Sequence, residues 1–364
     1  MERNHCALFL PSLPVGGAER MMINIATGLA DRGHDVDLVL VKAEGAFLDD
    51  VSDDVSIIDL TSSRVLTSVF PLIKYLQKEE PDVLLSTITP TNVVAVWATL
   101  FPGISTKHVV RVARPESEAA EVQENTFKER VTAGLARFFY PFADEIVAIS
   151  QGVADDVRAN TRLSSEDIHV IYNPVVTPKL IEKSREPVDH PWFDDGEPVI
   201  LGVGRLVDQK DFATLLKAFE IVTRNRQANL VIFGDGNLRD ELENLAVELE
   251  IDSDVDLPGF TDNPYKYMAN SDVFVNSAKH EGFGNVIIEA MACGAPLVAT
   301  DCPGAPGELL GDGEFGSLVP VGDPEVMASE IEEMVDNPTS CKKLYDRADN
   351  FSIDSAIELY EKLL

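Results

Sequence analysis

Two glutamates with seven residues between them, Glu281 and Glu289, stand in the stretch AKHEGFGNVIIEAMACG from Ala278 to Gly294. Gly282 and Gly284 leave the backbone beside the first one free to approach a ligand closely. The apolar run that follows predicts a helix over Asn285–Cys293, ended by Gly294. Its start aims unpaired N–H groups and the positive end of the helix dipole at one place, a setting that favours phosphate. One carboxylate ahead of the helix start and one a turn inside it would bracket a sugar nucleotide. The plain alternative makes Glu289 a solvated helix residue. Against it, Val286, Ile287, Ile288, Ala290, Met291 and Ala292 predict a mostly buried helix, where a carboxylate needs partners.

A second group is cationic. The loop GRLVDQKDF begins at Gly204, directly after the apolar run Val199–Val203, and carries Arg205 and Lys210. Arginine offers a planar fork for phosphate oxygens and lysine a mobile point charge. In a chain with 30 basic against 62 acidic residues, two cations in one strand-end loop point to an anionic ligand. Surface ion pairing, with Asp211 next to Lys210, is the competing reading.

Weaker signals lie around these two. Phe233-Gly234-Asp235-Gly236 would bring Gly236 backbone near a nucleotide, or form an ordinary turn. LPGF, ending in Gly259 and Phe260, would present backbone to a base, or again just turn. TDCPGAPGELL offers backbone donors near Gly304–Gly307. In the first half, Gly16 and Gly17 join a strand to a helix without the GxGxxG spacing, so the dinucleotide fingerprint is missing. They still place pliant backbone at a helix start, suited to a sugar or phosphate, with a bare turn as the rival explanation. Arg111, Arg114, Lys128, Arg130 and Arg137 interleave with Phe127, Phe138, Phe139 and Tyr140. Residues 111–140 are then either core aromatics under a solvated cationic face or a surface for an anionic lipid at a membrane edge.

Short apolar runs alternating with amphipathic segments must position these loops, the pattern of parallel sheets covered by helices. Strands are expected at Cys6–Leu10, Val36–Val41, Ser56–Asp59, Val83–Ser86, His108–Val112 and Glu145–Ile149. A second series is expected at Val199–Val203, Ala228–Phe233, Val255–Leu257, Val273–Val275, Leu297–Thr300 and Gly316–Val319. Helices are expected between them, at Ala18–Arg32, Ser68–Glu79, Thr91–Phe101, Asn125–Tyr140, Gln151–Asn160, Asp211–Asn225, Leu238–Glu250, Asn263–Asn270 and Asn285–Cys293. The expected organisation is an α/β chain with two doubly wound, Rossmann-like domains facing across a cleft. Residues 1–175 form the first and 198–350 the second. The proline-rich stretch 176–197 reads as a linker. A terminal helix in 351–364 would pack back on the first domain.

Composition excludes several classes. Hydrophobic residues at 45% and charged ones at 25% describe a soluble globular protein. A formal net charge of −32 repels nucleic acid and suits a cytoplasm rich in salt, where counter-ions screen self-repulsion. The four cysteines show no metal-ligand or disulfide spacing, so no metal site is expected and a reducing cytosol fits. The first apolar run, broken by Pro11 and Pro14, reads as a strand and loop rather than a signal peptide.

Taken together, GRLVDQKDF, FGDGNLRDELE, LPGF and HEGFGNVIIEAMACGAPLVATDCPG resemble the retaining family-4 glycosyltransferases of GT-B fold, over nearly the whole chain. The resemblance implies that Arg205 and Lys210, after Gly204, grip the diphosphate of a UDP- or GDP-sugar. It implies that Glu289 holds the nucleotide ribose and that Glu281 lies by the donor sugar and its leaving phosphate. Phe283, Gly284 and Asn285 would add contacts there, and Gly16 and Gly17 would face the diphosphate and sugar from the other domain. No cofactor and no divalent cation are implied. Many members carry a histidine after the fifth strand of the first domain; here VVRVARPES has Arg114 and Glu116 instead. Arg114, with Arg111, would then meet an anionic acceptor such as a lipid-linked phosphate, in glycan, polysaccharide or glycoprotein synthesis at the inner face of a membrane. The rival classes are a non-catalytic nucleotide-sugar binder and a nucleotide-sugar epimerase of the same architecture. A glycosidase would use two carboxylates but not the cations.

Overall fold

The computed structural model describes residues 3–14, 16–115, 134–161 and 163–364. They divide into two compact units, Met1–Pro174 with Ile353–Leu364, and Val175–Ser352.

The first unit is built on seven strands: β1 (His5–Leu10), β2 (Asp35–Leu40), β3 (Val55–Asp59), β4 (Val83–Thr87), β5 (Lys107–Val112), β6 (Glu145–Ala148) and β7 (Ile168–Val170). Their order across the sheet is β3-β2-β1-β4-β5-β6-β7, every pair parallel. Runs such as Cys6–Leu10 and Val83–Thr87 are buried throughout, as strands covered on both faces must be. One face packs on the helix Gly17–Asp31 and the terminal helix Ile353–Tyr360, where Leu8, Met22, Ile25, Ile357 and Tyr360 share one cluster. Gly28 permits this approach, since a Cβ there would come within 2.6 Å of Ile353 and Ile357. Arg32 then reaches Asp354 at 3.1 Å and Glu361 at 3.4 Å.

The second unit repeats the scheme with β8 (Val199–Val203), β9 (Asn229–Phe233), β10 (Val255–Gly259), β11 (Val273–Asn276), β12 (Leu297–Thr300) and β13 (Ser317–Val319). Their order is β10-β9-β8-β11-β12-β13, again all parallel. Each sheet reverses its winding once, between β1 and β4 and between β8 and β11. In open α/β sheets, ligands bind beyond the carboxyl ends of the strands at such a reversal. The loops after β8 and β11 are the ones that carry Arg205, Lys210 and Glu281.

Several elements differ from the sequence expectation. β7 is a three-residue edge strand, IHV, too short for a periodic signal. The stretch read as a linker holds a helix, Pro178–Ser184, started by Thr177 accepting from the Leu180 N–H at 3.0 Å with proline at the first position. The helices Pro324–Asp336 and Cys341–Ala348 were not expected; Asp323 and Ser340 cap them. Of the helix expected over Asn125–Tyr140, residues 134–139 are helical and the earlier part lies outside the described residues.

Candidate active site

Three strand-end loops of the second unit are tied into one platform. After β8, Gly204 donates to Phe233 O at 3.0 Å and Leu206 to Asp235 O at 2.9 Å. Gly234, with φ +144, lies so close to this loop that a Cβ would fall 1.8 Å from Gly204 O. Gly236 would meet Leu206 O at 2.2 Å. These two glycines therefore serve the packing of loop on loop. The loop after β11 joins the same platform through Lys279 N–H to Gln209 O at 2.8 Å, Gln209 Nε2 to His280 O at 3.0 Å, and Ser277 Oγ to Lys210 O at 2.8 Å.

On this platform Lys210 forms an ion pair with Oε1 of Glu281. Glu281 is buried and Lys210 half-buried, which makes the pair expensive to break on one side only. Asn276, the last residue of β11, donates its amide to the same oxygen at 3.1 Å. The Glu281 N–H is held by Pro303 O at 3.0 Å, and Gly304, φ +121, leaves room for that contact because a Cβ would sit 1.8 Å from Glu281 O. Arg205 is exposed, and among the described residues its guanidinium makes no hydrogen bond or ion pair. The Lys210 side chain lies 3.4 Å from the Cβ position of Gly204, so the two residues stack at the strand end.

Gly284, φ +95, turns the chain into the helix Asn285–Cys293, and Gly294, φ +80, ends it. Phe283 is buried edge-on against Phe351, with ring centroids 6.4 Å apart. Glu289 is half-buried one turn into the helix and accepts from the Tyr265 hydroxyl at 3.4 Å. Gly259, φ +97, closes β10, and the Phe260 ring beyond it is 76% exposed. Arg205, Lys210, Glu281 and the helix start thus share the switch-point loops, while Glu289 faces Tyr265.

The first unit holds the remaining expected residues. Gly16 is extended and precedes the helix Gly17–Asp31, with the Glu19 carboxylate 2.2 Å from where its Cβ would be. Arg111 and Arg114 part company. Arg111 is fully buried in β5, its guanidinium bound to Thr87 Oγ1 at 3.2 Å and to Asn173 Oδ1, whereas Arg114 is exposed. Arg111 lies inside β5, which is buried from His108 to Val112, whereas Arg114 follows the end of the strand. Phe138 is 65% exposed, Phe139 stacks edge-on against Trp97 at 5.5 Å, and Tyr140 is buried. Phe127, Lys128 and Arg130 lie outside the described residues. Sequence reading missed Asn276 and Gln209; a polar residue ending the otherwise apolar strand VFVN was the available signal for the first.

Residues 185–351 match the family model of the glycosyl transferases group 1, and residues 15–178 match that of glycosyltransferase family 4. The chain is 34% identical over 257 residues to the N-acetylgalactosamine-N,N'-diacetylbacillosaminyl-diphospho-undecaprenol 4-alpha-N-acetylgalactosaminyltransferase of Campylobacter jejuni, spanning 71% of this chain and 68% of that one. It is 30% identical to the lipopolysaccharide core biosynthesis glycosyltransferase LpsE of Rhizobium meliloti, over 96% of each. In three dimensions it is similar to HepE of Anabaena, crystallised with UDP, at a TM-score of 0.78, 23% identity and 99% of each chain. That likeness is one of fold, and the fold is GT-B. With relatives of this identity and coverage, and both halves matched in order, the chain belongs to the family-4 glycosyltransferases.

Proposed function

We propose that this protein is a retaining glycosyltransferase that moves a sugar from a nucleoside-diphosphate donor, UDP- or GDP-linked, to a hydroxyl of a lipid-linked or lipopolysaccharide-type acceptor. The observation that supports the site assignment is the Lys210–Glu281 pair joining the loops after β8 and β11 at the sheet's switch point, in loops that also carry Arg205 and the start of the helix Asn285–Cys293. Cleaving the anomeric C–O bond leaves an oxocarbenium-like sugar and a diphosphate with added negative charge. Arg205, Lys210 and the N–H groups at Asn285 stabilise that charge as it develops, with no step that requires a metal ion. Oε2 of Glu281 has no hydrogen bond among the described residues, which leaves it for a sugar hydroxyl. Glu289 takes the ribose, and Phe260 with Gly259 lies against the base. Retention proceeds on one face, with the departing phosphate taking the acceptor proton, or through a covalent glycosyl intermediate on a carboxylate nucleophile at the anomeric carbon.

The acceptor class draws support from the relatives, whose names place one on a diphospho-undecaprenol glycan and one in lipopolysaccharide core synthesis. Arg114 would meet the phosphate of such a lipid. No described helix is long and apolar enough to cross a membrane. Peripheral contact would use the exposed Phe138 and Phe142, whose rings lie 6.0 Å apart, with Arg137 beside them. Liposome co-sedimentation with anionic lipid checks it, and no binding would remove this part.

The test of the reaction is a panel of UDP- and GDP-sugars with polyprenyl-diphosphate-linked glycans, scored for transfer and for the anomeric configuration of the product. Lys210→Ala and Arg205→Ala should each cost about 2–4 kcal/mol of transition-state stabilisation, roughly 30- to 1000-fold in kcat/KM. Wild-type kinetics in both variants would defeat the diphosphate clamp. Donor binding without transfer to any acceptor would favour a non-catalytic binder.

A further inference from the structure

We propose that Asn276 is a positioning residue of the donor site, whose amide sets the Glu281 carboxylate and, through it, the ammonium of Lys210. This rests on the reading of Lys210 and Glu281 given above. Asn276 is itself buried and fixed on both sides of its amide. Its Oδ1 accepts from the Ala278 N–H at 3.1 Å, so its Nδ2 must face Glu281. The backbone around it is pinned by Thr300 at the end of β12, whose hydroxyl donates to Ala278 O at 2.5 Å.

The chemical reason lies in what happens when Lys210 turns to a diphosphate. Glu281, only 7% exposed, would then be left as a buried carboxylate without its cation, a costly state. The Asn276 bond to the same oxygen keeps that carboxylate paired and in place while the ammonium is engaged elsewhere. It also draws off part of the charge that would otherwise hold Lys210 back.

Asn276→Asp tests this through pH. Among the described residues, the charged groups tied to position 276 are Glu281 and, through it, Lys210; the Cys302 thiol is pushed up to about 11, chiefly by burial, and Thr300 does not titrate. At low pH the introduced side chain is protonated and donates to Glu281 as the amide does. At high pH the introduced carboxylate ionises beside Glu281, and the added negative charge holds Lys210 back. UDP and GDP are titrated by calorimetry against wild type and variant, using whichever wild type binds more tightly. The expected variant-to-wild-type affinity ratio is near one at acid pH and about tenfold weaker at alkaline pH. Asn276→Ala, which cannot titrate, should show a loss that does not vary with pH.

A ratio for Asn276→Asp that stays constant across pH, or wild-type affinity in both variants, overturns the proposal, provided Lys210→Ala weakens binding. If Lys210→Ala also binds as wild type, the clamp itself is wrong and this inference falls with it. Should Asn276→Asp not remain folded at alkaline pH by circular dichroism, wild-type affinity in Asn276→Ala alone overturns it.

Discussion

At the scale of single residues, the polar groups sealed inside the first unit are the most constrained. His108 in β5 is fully buried, its Nε2 3.0 Å from Ser86 Oγ. Ser86 donates its own proton to Asn92 Oδ1 at 2.8 Å, so His108 supplies the Nε2 proton. Burial lowers its pKa from 6.5 to about 3. The unfolded chain therefore binds a proton that the folded one refuses. Stability attributable to this site is intact above pH 6.5 and declines as pH falls from there towards about 3. Urea denaturation across that range should show the decline, and His108→Gln, which keeps a donor but has no proton to gain, should flatten it. An unchanged slope in the variant would show that other groups dominate.

At the scale of elements, glycines set how closely segments approach, and two of them separate stability from catalysis. Gly28 lies between the first and the terminal helix, far along the chain from the loops after β8 and β11. Gly28→Ala forces Ile353 and Ile357 aside and should cost about 1–3 kcal/mol of stability while leaving kcat/KM near wild type. Gly304→Ala adds strain at φ +121 and a clash with the carbonyl of Glu281. It should lose a similar amount, about 1–3 kcal/mol, and also lower kcat, because the carboxylate moves with its backbone. Thermal melts alongside kinetics distinguish the two. Equal catalytic loss in both would argue that Gly304 acts through stability alone.

At the scale of the whole molecule, charge is the dominant property. A formal charge of −32 with acidic pairs such as Asp49-Asp50, Asp53-Asp54 and Asp194-Asp195 spread along the chain sets up self-repulsion that counter-ions relieve. We expect the melting temperature to rise between dilute buffer and molar KCl, by several degrees. A melting temperature independent of salt would show that this self-repulsion does not limit stability.

Much of the architecture was legible because a strand buried on both faces has to be written as a continuous apolar run. The runs at Val199–Val203 and Leu297–Thr300 coincide with β8 and β12. The glycines around the helix Asn285–Cys293 marked its ends because left-handed backbone there suits little else. Elements with a weak or local signature escaped: the three-residue β7, and the helix Pro178–Ser184 hidden among prolines. Which residues carry charge, and at what spacing, was thus settled by the chain itself, since periodicity and loop chemistry are local. Only the tertiary structure decided that Arg111 is enclosed while Arg114 is not, that Gly234 and Gly236 pack loop against loop, and that Asn276 shares an oxygen with Lys210. Those depend on which strands become neighbours, and strand order is a property of long-range pairing that no local pattern encodes.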